Sequence, residues 1–267
     1  STGRCPSTTA SITGVAAVPV GAPLGLWVCH HWGLSACAGL NALAFCLSAA
    51  MILRIRHKLP GTASGLSRPS DLADGIRRIR ASPLLLRLLA YSGIFWTLVT
   101  ATNLASADFS KLAIGNAKGS QTVFVSFAAF AAVGALAGAV AMGWSARRLE
   151  DRTAYLVAGL GLGSALLLLS GCRSPLGISA FGFAAGFFGG GLTARIDADF
   201  VRLCPEAYRG RVLAVSGVAF AVWMLAPMLP IGWISLSVGA DRILFWIGVA
   251  YLAASSIWLA RLRDRVA

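Results

Sequence analysis

The stretch TVFVSFAAFAAVGALAGAVAMGW, which runs from Thr122 to Trp144, decides the fold because it contains no charged residue. An α-helix needs about 20 mostly apolar residues to cross the roughly 30 Å hydrocarbon core of a bilayer. Lipid offers no partners for free backbone N–H and C=O groups, so a spanning segment must satisfy them internally. This stretch is therefore predicted to be a transmembrane helix.

Further apolar segments of similar length flank this stretch on both sides. They are predicted at 11–29, 34–53, 84–105, 155–171, 176–198, 212–234 and 243–262. Of the 267 residues, 57% are hydrophobic and 12% are charged, whereas a soluble domain has about 25% charged residues. The mean hydropathy is +0.75. These features predict an all-α integral membrane protein with about eight transmembrane helices.

The basic residues predict how the chain is oriented. A net charge of +13 would suit a nucleic-acid-binding protein, but the charges lie almost entirely between the apolar segments, so we expect no nucleic-acid partner. If the Arg54 end of the second segment is cytoplasmic, most of the 23 Lys and Arg residues lie on that side. The other side keeps only Lys111, Lys118, Arg173 and Arg242. Since cytoplasmic loops carry the basic excess, we expect a multi-pass protein of the cell (inner) membrane with both termini in the cytoplasm.

The longest break between apolar segments contains linker residues such as Pro60, Gly61 and Pro69. It divides the chain into three parts. Residues 1–57 are expected to form the last two helices of an incomplete N-terminal bundle, 58–82 a cytoplasmic linker, and 83–267 a six-helix C-terminal bundle.

A short amphipathic helix is predicted inside this linker, with Ser70 as its N-cap. One face is apolar and carries Leu72, Ile76 and Ile79. The rest is crowded by three arginines, at Arg77, Arg78 and Arg80. We expect this helix to lie on the cytoplasmic membrane surface, and a solvated linker is the alternative.

Small residues and prolines predict how the spans pack. Gly182, Gly186 and Gly190 form one strip at every fourth position, and Gly134 with Gly138 forms another. Such strips permit close backbone approach, and small contact surfaces also permit one helix to slide or rock against another. In the seventh span, two prolines at 227 and 230 are expected to kink the helix.

A polar stripe runs along the third span at three- and four-residue intervals. It consists of Ser92, Trp96, Thr100, Asn103 and Ser106. A polar face avoids lipid, so the stripe is the candidate substrate-lining surface, with interhelical hydrogen bonding as the alternative. Asp108 lies off this face and is expected in the outer loop.

The ionisable residues nearest to membrane depth lie on the sixth span, at Arg195, Asp197 and Asp199. A charge at mid-bilayer costs about 3 kcal/mol on insertion scales, so it needs a partner or a purpose. We expect either structural pairing or a gating and coupling role. Arg195 is also close enough to the cytoplasmic end of the predicted span to snorkel.

The sequence contains no sign of a metal site, cofactor or catalytic centre. Its six cysteines form no C-x-x-C pair, and the histidines do not assemble ligands. There is no glycine-rich phosphate loop with Lys and Ser or Thr, and no nucleophile–base arrangement. We therefore expect neither metal nor cofactor, and no enzymatic activity.

The chain resembles the major facilitator superfamily, specifically the branch that includes enterobactin-type exporters and transmembrane secretion effectors. Three stretches carry this resemblance. The first holds Gly21, Pro23, Gly25, Gly33 and Leu40–Ala42, and the second runs from Gly75 through Arg80 to Leu84. The third matches a P-x-x-x-R-G-R-V loop and contains Pro205, Glu206, Arg209, Gly210, Arg211 and Val212.

A fourth stretch, after Gly143, is similar to the family's cytoplasmic G-x-x-x-D-R-x-G-R-R gating loop. Arg147 stands where the family has Asp, and Glu150 where it has Gly. The loop's charged residues are still expected to form ion pairs between helices; they include Arg147, Arg148, Asp151 and Arg152.

The resemblance implies twelve helices in two six-helix halves around a cavity, so four N-terminal helices are expected to be missing. It also implies a proton-coupled exporter of a small amphipathic or siderophore-like solute, with membrane lipid, that solute and protons as its partners. The alternative is a transport-incompetent fragment or an interaction subunit.

Overall fold

The computed structural model of the chain consists of helices and short connections in its described residues. These are residues 25, 28, 31–33, 35–51, 53–54, 69–114, 117–145, 151–204 and 208–263. Nine helices are named here in chain order. They are α1 (Ser35–Met51), α2 (Pro69–Ala81), α3 (Pro83–Ile114), α4 (Ala117–Ser145), α5 (Asp151–Gly171), α6 (Pro175–Leu203), α7 (Arg209–Leu225), α8 (Met228–Val238) and α9 (Ala240–Arg263).

Within the described residues, six segments are long and apolar enough to cross a membrane. They are Pro83–Ser110, Thr122–Ser145, Arg152–Gly171, Pro175–Leu203, Arg209–Ile234 and Ala240–Ile257. The all-α membrane fold is confirmed, and each segment coincides with a predicted span. The predicted span at 11–29 lies largely outside the described residues. The next one corresponds to α1, an apolar helix shorter than a full span.

Two helices extend further than the hydropathy pattern indicated. α3 continues past Ala105 to Ile114, so Asp108 lies within a helix and the expectation of an outer loop there is wrong. α6 continues past Ala198 to Leu203. Apolar composition marks only the part of a helix that can lie in lipid, whereas the backbone hydrogen bonds continue through the polar residues that follow.

The start of α6 is fixed by a local signal. Ser174 is the N-cap, and its side chain accepts a hydrogen bond from the backbone N–H of Gly177 at 3.1 Å. Pro175 follows at the first helical position, where a missing backbone N–H costs nothing. α6 then crosses the fold and carries residues of the cavity wall as well as the ion pair of Arg195 with Asp199.

α4 and α6 pack through the two predicted glycine strips. A Cβ at Gly138 would overlap the carbonyl oxygen of Phe187, and a Cβ at Gly186 would overlap that of Ala131. At Gly182, a Cβ would lie 2.7 Å from a ring carbon of Phe127. The packing role of the strips is therefore confirmed, because the two backbones approach too closely for any larger residue.

A second glycine contact, between α5 and α9, was not predicted. A Cβ at Gly163 would lie 3.0 Å from the carbonyl oxygen of Gly248, and a Cβ at Gly248 equally close to that of Gly163. One turn away, Gly159 lies against the side chain of Ser255. These glycines bring α9 close to α5 and place Tyr251 within the core.

The predicted kink in the seventh span is a break between α7 and α8. The two helices are separated by Ala226 and Pro227, which form a turn. Pro227 has no backbone N–H to continue the ladder of α7, and its carbonyl accepts from the N–H of Ile231 at 3.0 Å to start α8. Pro230 lies in the first turn of α8, where the missing donor is harmless. Pro227 alone therefore accounts for the break.

The predicted amphipathic helix is α2, but it begins at Pro69, so Ser70 lies in its first turn and is not its N-cap. The helix packs against protein. Gly75 lies against the carbonyl of Arg211 in α7, and Ile79 is buried with Val212 and Cys204. Ile76 remains 37% exposed, so the buried face is only part of the apolar face read from the sequence. α2 therefore packs against the start of α7. Neither the membrane-surface helix nor the solvated linker considered from the sequence included this contact.

Candidate functional site

A cavity of about 230 Å³ lies among α3, α4, α5, α6 and α9. Its walls are mainly apolar, with the rings of Phe95, Trp96, Phe127 and Tyr251 among them. Of the described residues that line it, none is a Lys, Arg, Asp or Glu. The cavity therefore offers a solute aromatic and aliphatic contact with few polar groups.

The structure separates the predicted polar stripe into two groups. Trp96 and Asn103 line the cavity. The other three residues are buried and donate hydrogen bonds to carbonyls of their own helix: Ser92 to Leu89 at 2.8 Å, Thr100 to Trp96 at 3.1 Å and Ser106 to Asn103 at 2.9 Å. Each hydroxyl is thus satisfied locally, as is usual for Ser and Thr in membrane helices.

Helix geometry explains this separation. At about 100° per residue, Trp96 and Asn103 lie within about 20° of each other, whereas Thr100 is displaced to the flank of that face. Ser92 and Ser106 share the direction of the cavity but precede and follow its lining segment on α3. Residues at three- and four-residue spacing therefore define a face of α3 that is both wider and longer than the part that lines the cavity.

Most of the other polar groups in the cavity wall are also engaged with backbone. Thr102 donates to the carbonyl of Leu98 at 2.8 Å, and Thr193 to that of Gly189 at 3.0 Å. The hydroxyl of Tyr251 donates to the carbonyl of Phe95 at 3.2 Å. Asn103 is exposed within the structure, which makes its amide the wall group best placed to bond to a solute.

An ion pair with a third polar partner lies further along α6. Arg195 Nε is 3.3 Å from Asp199 Oδ2, and the two side chains are only 7% and 12% exposed. Tyr155 of α5 donates its hydroxyl to the same carboxylate oxygen at 2.9 Å. The carboxylate thus joins two helices in a nearly dry environment.

This geometry corrects one expectation for the charged residues of α6. Arg195 is buried and does not snorkel, and α6 continues for eight further residues beyond it, or about 12 Å. Its partner is Asp199, one helical turn away. Asp197 is two residues from Arg195, points about 160° away and is half-buried. The predicted trio is therefore a pair and a separate carboxylate.

The tyrosines around this pair were missed by sequence analysis. The ring of Tyr91 meets that of Tyr155 edge-on at 5.5 Å between centroids, and Tyr91 is hydrogen-bonded to Ser255. The available signal was the choice of Tyr over Phe within apolar spans, because a buried phenol requires a hydrogen-bond partner. That signal does not reveal which helix supplies the partner.

A chain of aromatic rings connects the cavity with this part of α6. The ring centroids of Trp96 in the cavity wall and Phe220 of α7 are 6.1 Å apart. Those of Phe220 and Phe200, the residue after Asp199, are 5.8 Å apart. Both distances are typical of aromatic pairs in contact. The rings therefore form a continuous path of contacts from the cavity wall to the residue beside Asp199.

A second, charged site lies between α2 and the start of α7. Asp74 pairs with Arg77 at 2.6 Å and with Arg211 at 3.4 Å. The guanidinium of Arg78 lies over the ring of Tyr208, 5.4 Å from its centroid. Together with Ala81 these residues surround a pocket of about 280 Å³, which we call the arginine pocket.

The predicted gating loop and the P-x-x-x-R-G-R-V loop are only partly described. Residues 146–150 and 205–207, which include Arg147, Arg148 and Pro205, lie outside the described residues. Gly143 is in α4 with open space beside it, Asp151 begins α5, and Arg152 is half-buried. Arg209 and Gly210 form the first turn of α7, beside the arginine pocket.

The described residues bring together no three His, Cys, Asp or Glu side chains able to hold a metal ion. No curated protein sequence matches the chain. The profile of the Major Facilitator Superfamily matches residues 8–227, which is most of the chain. With its six apolar helices of spanning length, the chain therefore belongs to the Major Facilitator Superfamily and is a multi-pass membrane transporter.

Proposed function

We propose that this transporter is a secondary active exporter that moves a small amphipathic or siderophore-like solute outward in exchange for protons. The observation that carries the proposal is the apolar cavity between α3 and α6, with Trp96 and Asn103 in its wall. The resemblance to enterobactin-type exporters supports the direction of transport and the coupling ion.

The chemistry of the cavity wall favours an amphipathic solute. An aromatic or aliphatic moiety gains by packing on Trp96 and Phe127, since apolar burial contributes about 25 cal/mol per Å². The exposed amide of Asn103 then provides two N–H donors and a carbonyl acceptor for a polar substituent. A permanently charged group would have no ionic partner among the described wall residues.

The buried pair of Arg195 and Asp199 is the proposed gating and coupling element. It lies at the contact of α5 with α6, and the aromatic rings at Phe220 and Phe200 extend from it to the cavity. Protonation of the carboxylate would weaken its bonds to Arg195 and Tyr155 and so loosen the two helices. Asp197, which is half-buried on a different face of α6, is the second proposed protonation site.

The proposed orientation places both termini and the arginine pocket on the cytoplasmic side of the inner membrane. It rests on the basic residues near the ends of α2, α6 and α7, against Arg173 and Arg242 near the opposite ends. Export then requires the cavity to open alternately towards the two sides.

Cysteine accessibility at Asn103 tests the proposal. In a variant without native cysteines, Asn103→Cys should react with a membrane-impermeant maleimide added to intact cells. The rate should change several-fold when a protonophore collapses the proton gradient, because coupling shifts the fraction of outward-open molecules. The matched control is Ile94→Cys on the same helix, which is 48% exposed, faces away from the cavity and should remain unreactive in lipid.

Equal rates with and without the protonophore would contradict proton coupling. Complete protection of the thiol under both conditions would contradict a cavity that opens outward. Reaction at Ile94→Cys as fast as at Asn103→Cys would show that α3 is not embedded as proposed.

A further inference from the structure

We propose that the arginine pocket between α2 and α7 binds the phosphodiester headgroup of an anionic membrane phospholipid. This site is separate from the proposed transport cavity, with which its described lining shares no residue. Three features support this assignment: the charge of the pocket, its position at the ends of the spans and the apolar surface that continues from it.

The pocket has a positive charge excess. Among its described lining residues, three guanidinium groups face one carboxylate, that of Asp74. Asp74 already bridges Arg77 and Arg211, so its charge is shared between two partners. Arg78 is held over the ring of Tyr208, a contact that orients its guanidinium and leaves its N–H edge able to bond to phosphate oxygens.

α7 adds to this potential. The helix begins at Arg209, and its N-cap residue, Tyr208, makes no side-chain capping bond. Its first turn also has no acidic residue. The positive end of the helix dipole therefore points towards the pocket, where an anion is stabilised.

The position of the pocket selects a lipid over a dissolved anion. Ala81 of the pocket lies two residues before the span that begins at Pro83, and Tyr208 lies directly before the span that begins at Arg209. The pocket therefore lies at the level where headgroups meet the hydrocarbon core. A phospholipid is present there at a far higher local concentration than free phosphate.

An exposed apolar stripe leads from the pocket along α7. Val218, Val222 and Leu225 follow Arg211 at 7, 11 and 14 residues, so they share its face of the helix. All three are more than half exposed, at 57%, 59% and 64%. Acyl chains can lie along this stripe while the headgroup occupies the pocket, which is the arrangement that a bound phospholipid requires.

The test measures binding of phosphatidylglycerol with a fluorescent acyl chain to the purified full chain in a neutral detergent. Arg77→Gln and Arg78→Gln should each weaken binding about fivefold, since each basic group near a headgroup contributes about 1 kcal/mol. Arg80→Gln is the matched control, because it removes the same charge from the same helix outside the pocket. The labelled phosphatidylcholine analogue should bind less tightly and respond to none of the three changes.

Four results would overturn the proposal. The first is a loss of binding in Arg80→Gln as large as that in the pocket variants, and the second is unchanged binding in both pocket variants. The third is binding of phosphatidylcholine as tight as that of phosphatidylglycerol. Displacement of the labelled lipid by millimolar inorganic phosphate would assign the pocket to a dissolved anion. The two pocket variants are read separately, so loss of folding in one leaves the other decisive.

Discussion

At the scale of single residues, the buried carboxylate of Asp199 sets the strictest requirement in the fold. A charge taken out of water costs several kcal/mol unless ionic and hydrogen-bonding partners replace the water. Arg195 and Tyr155 do so from 3.3 Å and 2.9 Å. Removing either partner leaves a poorly solvated charge. The free energy of unfolding is therefore expected to fall even when a substitution keeps the size and shape of the side chain.

Replacing Tyr155 with Phe tests this requirement. The change removes one hydroxyl that donates to a carboxylate, and we expect a loss of about 1.5–3 kcal/mol in the free energy of unfolding. Tyr251→Phe is the matched control, because its hydroxyl donates to a neutral carbonyl at 3.2 Å and should cost about 0.5–1.5 kcal/mol. Unfolding in a mild detergent, followed by tryptophan fluorescence, measures both; a larger loss for Tyr251→Phe would contradict the assignment.

At the scale of helices, close backbone contact takes the place of the hydrophobic effect in holding helices together within the membrane. Lipid tails are as apolar as the side chains, so two helices gain by close van der Waals packing instead. The strips on α4 and α6 supply that contact with each other, and Gly163 with Gly248 supplies it between α5 and α9. α6 is therefore held against α4 by close backbone contact, and its C-terminal part is joined to α5 by the hydrogen bond from Tyr155 to Asp199.

Adding a single methyl group to α4 tests this packing. Gly138→Ala places a Cβ against the carbonyl of Phe187, and we expect it to destabilise the fold by about 1–3 kcal/mol. Gly143→Ala lies on the same helix with nothing within 4 Å, so it should be neutral or slightly stabilising. Thermal unfolding in detergent compares the two variants, and equal midpoints would show that α4 and α6 are not in tight contact.

At the scale of the whole molecule, α6 connects the two sides of the membrane. It has 29 residues, which at about 1.5 Å each give about 44 Å, with Cys172 shortly before its start and Cys204 directly after its end. These two cysteines therefore lie near opposite faces of the membrane. Cys172 is partly exposed, whereas Cys204 is buried, and burial raises the pKa of its thiol.

Labelling of these two cysteines in intact cells tests the proposed orientation. A variant that retains only Cys172 should react with an impermeant maleimide from outside. A variant that retains only Cys204 should not react in cells and should react only slowly in inverted vesicles, because a raised pKa leaves less thiolate at neutral pH. As a control for access in inverted vesicles, Cys introduced at exposed Arg80 should react quickly; reaction at Arg80→Cys in intact cells would reverse the orientation.

Only one part of the cavity wall, the one on α3, could be predicted from the sequence. The stripe on α3 was visible because polar residues recur in an apolar helix, and the centre of that face, Trp96 and Asn103, lines the cavity. The other walls, which include Phe127 and Tyr251, come from helices far apart in the chain. Their contributions depend on how the helices turn towards one another, which periodicity within one helix does not specify.

The sequence by itself determined the fold class, the position of the six spans, an interruption of the seventh span near its two prolines and the glycine strips, because each follows from local composition in a solvent that forbids unpaired backbone groups. Only the tertiary structure decided which partners meet. It joined Asp199 of α6 to Tyr155 of α5, packed α2 on α7 and formed the arginine pocket from residues 74 and 211. Such contacts depend on the rotation and approach of whole helices, which are set by packing between segments distant in sequence.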